Sequence, residues 1–457
     1  MRKTKRRLEV LSFYNHTGIA SHLEKMAEKG WMLERMANYG WIYRRMEPRK
    51  LHFAVSYYPK ASEFDPEPSE AQKRFLDFCA HTGWKLVCTS AQMQVFCNER
   101  ENPIPIETDP VLEVETIHAA MMKNFFWGHV FLLVLSVVMG FFFLMGLFGN
   151  IIATMADPMK VFGGLCWLLV FILAVTELTV YRRWHKRAAE AAEQGQFLDV
   201  PSTAVIQKGA LWILALNGVY LVVNYTFASD KMMLFIMGGM AVCMGLVFFA
   251  ADWVKRLFKR WKVSKNTNRI GSFLITFLLA FTVQNLVTFG TLALNEEGAF
   301  DQDDDFMQVA HPLRVEDLLD VDHQYVVEGS PKESVFLAYR HVRQWPWFDV
   351  EDWSEVPHME YDLVKVKLPF LYDGCRKQMI KNVTQVNQLH LSYAERDKIE
   401  PVDPAPWGAV EVYHVIDVGD DSEYDRYLLC YEDVLADIQF SWEPTEQQKE
   451  IVGTKLG

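Results

Sequence analysis

The stretch "DQDDD" at residues 301–305 comes nearest to a chemical motif, because its spaced carboxylates resemble the first half of a calcium-binding loop. The sixth loop position is Phe306 rather than Gly, and the twelfth is Pro312 rather than Glu, which excludes an EF-hand. A loose cation site is one reading of the run, and a solvated linker is the simpler one. The chain has no HExxH, no GxSxG, no Walker-type glycine loop and no GxGxxG. Seven cysteines, at positions 79, 88, 97, 166, 243, 375 and 430, form no CxxC or Cys/His ligand spacing. His311, His323, His341, His358, His390 and His414 are likewise scattered. The expectation is a protein that is not an enzyme, with no catalytic residues, no cofactor and no resident metal. Cys375 and Cys430 are candidates for a disulfide only if their end of the chain lies outside the cell.

The other residues with chemical potential are polar groups inside apolar sequence. Five apolar runs, at about 125–149, 161–181, 209–228, 232–254 and 271–294, each approach the roughly 20 residues that span a bilayer. "FLLVLSVVMGFFFLMGLF" shows none of the polar face of a soluble core helix. Within or beside these runs stand His129, Glu177, Asn217, Asn224, Gln284 and Asn285. An intramembrane ionisable group raises a functional hypothesis. His129 and Glu177, however, fall within a turn or two of a membrane surface, where headgroups and water solvate them. Asn217 and Asn224, seven residues apart, share a helix face, as interhelical hydrogen-bonding residues do. Without a charged midplane cluster, a broken-helix pair or an inverted repeat, the pattern argues against a transporter.

Charge orients these runs. Arg182, Arg183, Lys186, Arg187 and Lys208 follow the second run; Lys255, Arg256, Lys259, Arg260, Lys262, Lys265 and Arg269 follow the fourth. The positive-inside rule places both connections in the cytoplasm, with residues 1–120 inside and 295–457 outside. Attraction to anionic lipid accounts for the same basic residues, and no nucleic-acid role is needed. Residues 295–457 carry 35 Asp/Glu against 14 Lys/Arg, a balance of −21 within a whole-chain charge of −12. Such an acidic domain suits a cationic extracellular ligand, or it simply keeps the domain soluble.

Residues 1–120 contain an internal repeat. "HLEKMAEKGWML" at 22–33 recurs 53 positions later as "FLDFCAHTGWKL". Ile19, Leu23, Met26 and Ala27 fall on one helical face. Gly30 and Gly83 stand where a left-handed residue ends a helix. Trp31 and Trp84 follow, each expected to plug its helix against a sheet. "RLEVLSFYN" is strand-like, and "WIYRRMEPRKLHFAVSYYP" reads as a hairpin turning at "EPRK". "KLVCTSAQMQVFC" gives another strand pair. The order predicts an α+β, ferredoxin-like (split β-α-β) N-terminal domain. A five-helix transmembrane region, residues 121–294, then leads into an acidic extracytoplasmic α+β domain, residues 295–457. Its last helix begins at Thr445, with Gln448 as capping-box partner.

"FYNHTGIASHLEKMAEKGW", "EPRKLHFAVSYYPKASEFDP", "GWKLVCTSAQMQVF" and "PIETD" together resemble an uncharacterised family of Gram-positive (Bacillus- and Clostridium-type) membrane proteins, a domain of unknown function. The resemblance covers about a quarter of the chain, and the C-terminal ending is also similar to longer members. It implies an N-terminal domain followed by a few transmembrane helices, and genes often beside those of PadR-type transcriptional regulators. It supplies no catalytic residues. The sequence thus predicts a multi-pass cell-membrane protein: a non-enzymatic sensory or regulatory protein with a cytoplasmic protein partner. The alternative is a transport or membrane-integrity component acting through its helices, and the oligomeric state is open.

Overall fold

The computed structural model describes residues 4–37, 40–227, 230–296, 299, 312–321, 325–346, 356–384, 398–416 and 425–457, without the side chains of Asn124 and Ser330. The run 301–305, His311, His323, His390 and most of the acidic stretch 417–425 lie outside the described residues. The chain divides into two compact units. The first comprises Met1–Val138, Trp167–Leu216 and Met232–Ala299; the second comprises Met139–Cys166, Asn217–Lys231 and Phe300–Gly457.

In the first unit the repeat is a duplicated β-α-β-β module. Its first copy is β1 (Thr4–Arg7), α1 (His16–Glu28), β2 (Trp31–Ala37) and β3 (Gly40–Arg45). The second is β4 (His52–Tyr57), α2 (Glu70–His81), β5 (Lys85–Ser90) and β6 (Met93–Asn98). Each copy forms its own three-stranded antiparallel sheet, ordered β1-β3-β2 and β4-β6-β5. This differs from the single interleaved sheet that a split β-α-β pattern predicts. "EPRK" is not a hairpin turn: β3 pairs with β2 and β1, whereas β4 pairs with β6. Alternation at Leu51, Phe53, Val55 and Tyr57 specifies a buried strand face but not the strand that pairs with it. At the end of β3 the Met46 N–H donates to the Gly30 carbonyl at 3.0 Å, and the chain then crosses to the second sheet.

Side-chain caps start both helices. Asn15 accepts from the Gly18 N–H at 2.9 Å, and Ser69 accepts from the Gln72 N–H at 3.2 Å. The predicted face Ile19, Leu23, Met26 and Ala27 is buried, packing α1 on β4 and β2 with Leu33, Tyr43 and Phe53. Burial of four such apolar side chains contributes on the order of 1.5–3 kcal/mol for each large one, before entropy is counted.

α3 (Pro110–Ala120) passes through a π-helical turn, Met121–Phe125, into α4 (Phe126–Gly149). After the short α5 (Ile151–Met155) come α6 (Pro158–Ala192), α7 (Ala204–Phe227), α8 (Lys231–Arg260) and α9 (Lys265–Glu296). The helices α4, α6, α7, α8 and α9 are long and apolar enough to cross a membrane. α6, α8 and α9 outrun their apolar stretches because backbone hydrogen bonding continues into the basic flanks, where Lys and Arg are good helix formers. Phe131, Phe141, Leu216, Phe249 and Phe281 are exposed along them. An apolar surface of that extent is unfavourable in water and suits hydrocarbon, and these five helices mark a multi-pass membrane protein.

The second unit is built on a seven-stranded antiparallel sheet. Its strands are β7 (Tyr325–Glu333), β8 (Leu337–Pro346), β9 (Met359–Val366), β10 (Lys398–Val402), β11 (Glu411–Ile416), β12 (Asp425–Cys430) and β13 (Val434–Phe440). They are ordered β10-β11-β12-β13-β9-β8-β7, two meanders joined by the β9–β13 pair. α10 (Tyr372–Thr384) packs on β9, β12 and β13. α11 (Glu446–Leu456) starts with the predicted capping box of Thr445 and Gln448. α5 joins this core: Ile152, Met155 and Ala156 are buried with Leu337, Val364 and Met379. The Ser334 hydroxyl donates to the Met155 carbonyl at 2.5 Å.

Candidate functional site

The richest polar arrangement of the first unit joins the repeat to the membrane helices. Ser12 lies in the segment between β1 and α1, and its hydroxyl donates to Glu177 Oε1 of α6 at 3.0 Å. Thr203, just before α7, donates to the same oxygen at 2.5 Å and lies 2.8 Å from the Ser12 hydroxyl. The Gln207 amide of α7 donates to Glu177 and also to the Thr203 hydroxyl at 2.9 Å. Glu177 is therefore not merely solvated near a membrane surface. Its carboxylate is an acceptor held by three donors, and a charged acceptor makes the stronger kind of hydrogen bond.

A second connection is ionic. The segment after β4 places Glu63, Asp65 and Glu67 against the basic end of α8, the turn that follows it and the first residue of α9. Lys255 meets Glu63 at 3.0 Å, Lys265 meets Asp65 at 3.3 Å, and Lys262 meets Glu67 at 2.7 Å. The buried Asn268 amide donates to the Phe64 carbonyl at 3.3 Å, which fixes the segment between its acidic residues. Single exposed pairs contribute little, about 0–1 kcal/mol, so the set acts through its number and register. A third tie lies at α3, where His118 Nδ1 is 2.7 Å from the Tyr181 hydroxyl of α6, and the His118 ring stacks on that of His185 at 4.2 Å.

The tryptophans that end the repeated phrase differ in setting. Gly30 and Gly83 have φ of +78° and +92°, the left-handed region that favours glycine. Trp84 is buried with Cys79 and Phe96, and its ring N–H donates to the Ile104 carbonyl at 2.8 Å. Trp31 is only half-buried, with Lys5 Nζ 5.4 Å and Arg45 Cζ 5.0 Å from its ring. The second copy's tryptophan is thus buried, and the first copy's packs only partly against the core that contains Ile19 and Leu23. The first presents a cation–π stack at its sheet surface, and Leu33 takes the core position.

Asn217 and Asn224 do not form a matched interhelical pair. Asn224 donates to the Glu333 carbonyl at 3.0 Å, whereas the buried Asn217 amide nitrogen has no hydrogen-bond partner among the described residues. His129 Nδ1 faces the Phe125 carbonyl one turn earlier at 2.7 Å, and Asn285 donates to the Phe281 carbonyl at 2.7 Å. Both are satisfied by their own helices. Cys375 and Cys430 are free thiols buried in one core, and burial pushes the Cys375 thiol up to about 11. His341 Nδ1 and the Tyr339 hydroxyl both reach Asp362 Oδ1, at 2.7 and 2.9 Å. Burial raises the Asp362 carboxyl, against these two hydrogen bonds. Among the described residues, no group of three or more His, Cys, Asp or Glu is arranged to hold a metal ion.

Sequence reading singled out Glu177 by its charge in an apolar run. It missed Ser12, Thr203 and Gln207, whose types and local spacing carry no signal, and it missed the acidic segment 63–67, whose meaning appears only opposite the α8–α9 turn.

No curated protein and no solved structure matches the chain. Residues 17–130, from the first turn of α1 into the first turns of α4, match the family model described as protein of unknown function (DUF2812).

Proposed function

We propose that this protein is a non-enzymatic transmembrane sensory or regulatory protein whose N-terminal repeat lies in the cytoplasm and meets a protein partner there. The observation that carries this reading is the mode of attachment of the repeat. It is joined to α6, α7 and the α8–α9 turn through hydrogen bonds around Glu177 and through three ion pairs. Such groups exchange with water readily, so a small shift of a helix changes the restraints on the repeat. The basic α6–α7 and α8–α9 connections belong to the first unit along with the repeat, which supports a cytoplasmic side by the positive-inside rule. Phe78 stands exposed on α2 and offers an apolar contact to a partner. The resemblance to membrane proteins encoded beside PadR-type regulators supports a regulatory role.

The test is a photo-cross-linker at position 78 of the full-length protein in cells, in the parent and with Glu177→Gln and Lys255→Gln combined. A defined adduct whose yield changes at least threefold in the double variant is the expected result. An unchanged adduct with the variant folded and inserted would overturn the coupling. A substrate-dependent ion flux in proteoliposomes would overturn the reading in favour of transport.

A further inference from the structure

The first unit contains a half-open cavity of about 500 Å³ lined by residues of the repeat and of α4, α6, α7 and α8. That volume lies in the range of small-molecule sites, roughly 300–1,000 Å³. Four cations line it: Arg35 from β2, and Lys255, Arg256 and Lys259 from the last turns of α8. The acids on its wall are already engaged. Glu63 pairs with Lys255 at 3.0 Å, and Asp252 pairs with Arg256 at 3.0 Å and with Arg35 at 3.7 Å. Glu177 is occupied by Ser12, Thr203 and Gln207. The ammonium of Lys259 enters no hydrogen bond or ion pair with a described residue, although it is only partly exposed. The cavity therefore holds a cation without a direct partner beside two guanidinium groups. The remaining wall is apolar and includes Phe13, Phe125 and Leu178.

We infer that this cavity binds a phosphate group, with Lys259 as its main counter-charge and Arg35 and Arg256 as forked donors. Guanidinium matches the geometry of phosphate oxygens, whereas lysine serves as a point charge. The apolar wall would accommodate the glycerol and first acyl carbons of an anionic phospholipid, and a free phosphate would use the cationic part alone. The inference stands apart from the regulatory reading, because binding is measured on the purified chain with no cytoplasmic partner.

The experiment is thermal melting of the full-length protein in an uncharged detergent. It is titrated separately with inorganic phosphate, short-chain phosphatidylglycerol and short-chain phosphatidylcholine, since a ligand of the native state raises the melting temperature with concentration. A saturable shift with phosphatidylglycerol alone identifies a lipid headgroup, and one with inorganic phosphate as well identifies a general phosphate site. In either case Lys259→Gln should raise the half-saturating concentration at least tenfold. Lys259→Arg should retain binding, and Lys85→Gln, at an exposed ion pair with Glu99, should leave it unchanged. No saturable shift with inorganic phosphate or with phosphatidylglycerol overturns the inference. So does an equal shift with phosphatidylcholine, or an equal loss in Lys85→Gln. If Lys259→Gln does not fold, Arg35→Gln is read by the same criteria.

Discussion

Ser12 and Glu177 are 165 residues apart in sequence, yet the serine hydroxyl donates to the carboxylate at 3.0 Å. One end of this bond lies in the segment that leads into α1, and the other lies on a membrane-spanning helix.

Glu177→Ala should destabilise the full-length protein by about 1–3 kcal/mol, because Ser12, Thr203 and Gln207 lose a common acceptor in a partly buried place. Glu177→Gln keeps the size and one acceptor oxygen, and should cost less. Melting in detergent ranks the two variants. Equal stability of both with the parent would mean that the cluster does not hold the repeat.

The two repeat glycines should differ in tolerance. A Cβ on Gly30 would lie 2.8 Å from the Met46 carbonyl oxygen, which belongs to backbone and cannot step aside. On Gly83 the nearest atom is Arg100 Nε at 3.1 Å, part of a flexible side chain. Both substitutions carry the left-handed penalty of about 1–2 kcal/mol. Gly30→Ala should therefore lower the melting temperature more than Gly83→Ala, and the reverse order would contradict the geometry.

In the second unit, Gly453 of α11 is the close-approach glycine. A Cβ there would collide with the Trp407 carbonyl, and the neighbouring backbone atoms would be met as well. Gly453→Ala should lift α11 from the turn that precedes β11, costing about 1–3 kcal/mol as an overpacking change. Hydrogen exchange of α11 should accelerate while that of β12 and β13 changes little.

Burial pushes the Cys79 and Cys375 thiols up to about 11 from an ordinary 9.0. Such a rise leaves about 100-fold less thiolate at neutral pH, so both should resist maleimide in the folded protein. The folded chain keeps a proton that the unfolded thiol releases above 9. The associated stability is therefore complete below pH 9 and is lost as pH rises through about 11. Topology is better read from cysteines introduced at Lys85 and at Val410, both of which are exposed. The proposed orientation expects position 410, but not 85, to react with an impermeant reagent in intact cells.

What was legible in the sequence was whatever depends on neighbouring residues. A bilayer-length helix needs only a continuous apolar run, so all five spans were visible, although α6, α8 and α9 extend beyond them. The α1 face at Ile19, Leu23, Met26 and Ala27, the left-handed Gly30 and Gly83, and the Thr445 capping box also follow from short-range rules. The repeated phrase disclosed a duplication, yet local patterning could not choose between one interleaved sheet and two separate ones. Strand alternation states which side is buried and is silent about the neighbour. Only the tertiary structure paired β4 with β6, set two cations near the Trp31 ring while burying Trp84, and brought Ser12 to Glu177. Each of these joins residues far apart along the chain. Closing such distances depends on the whole fold, because the entropy of the loop between two groups is offset by packing throughout the unit rather than by the groups themselves.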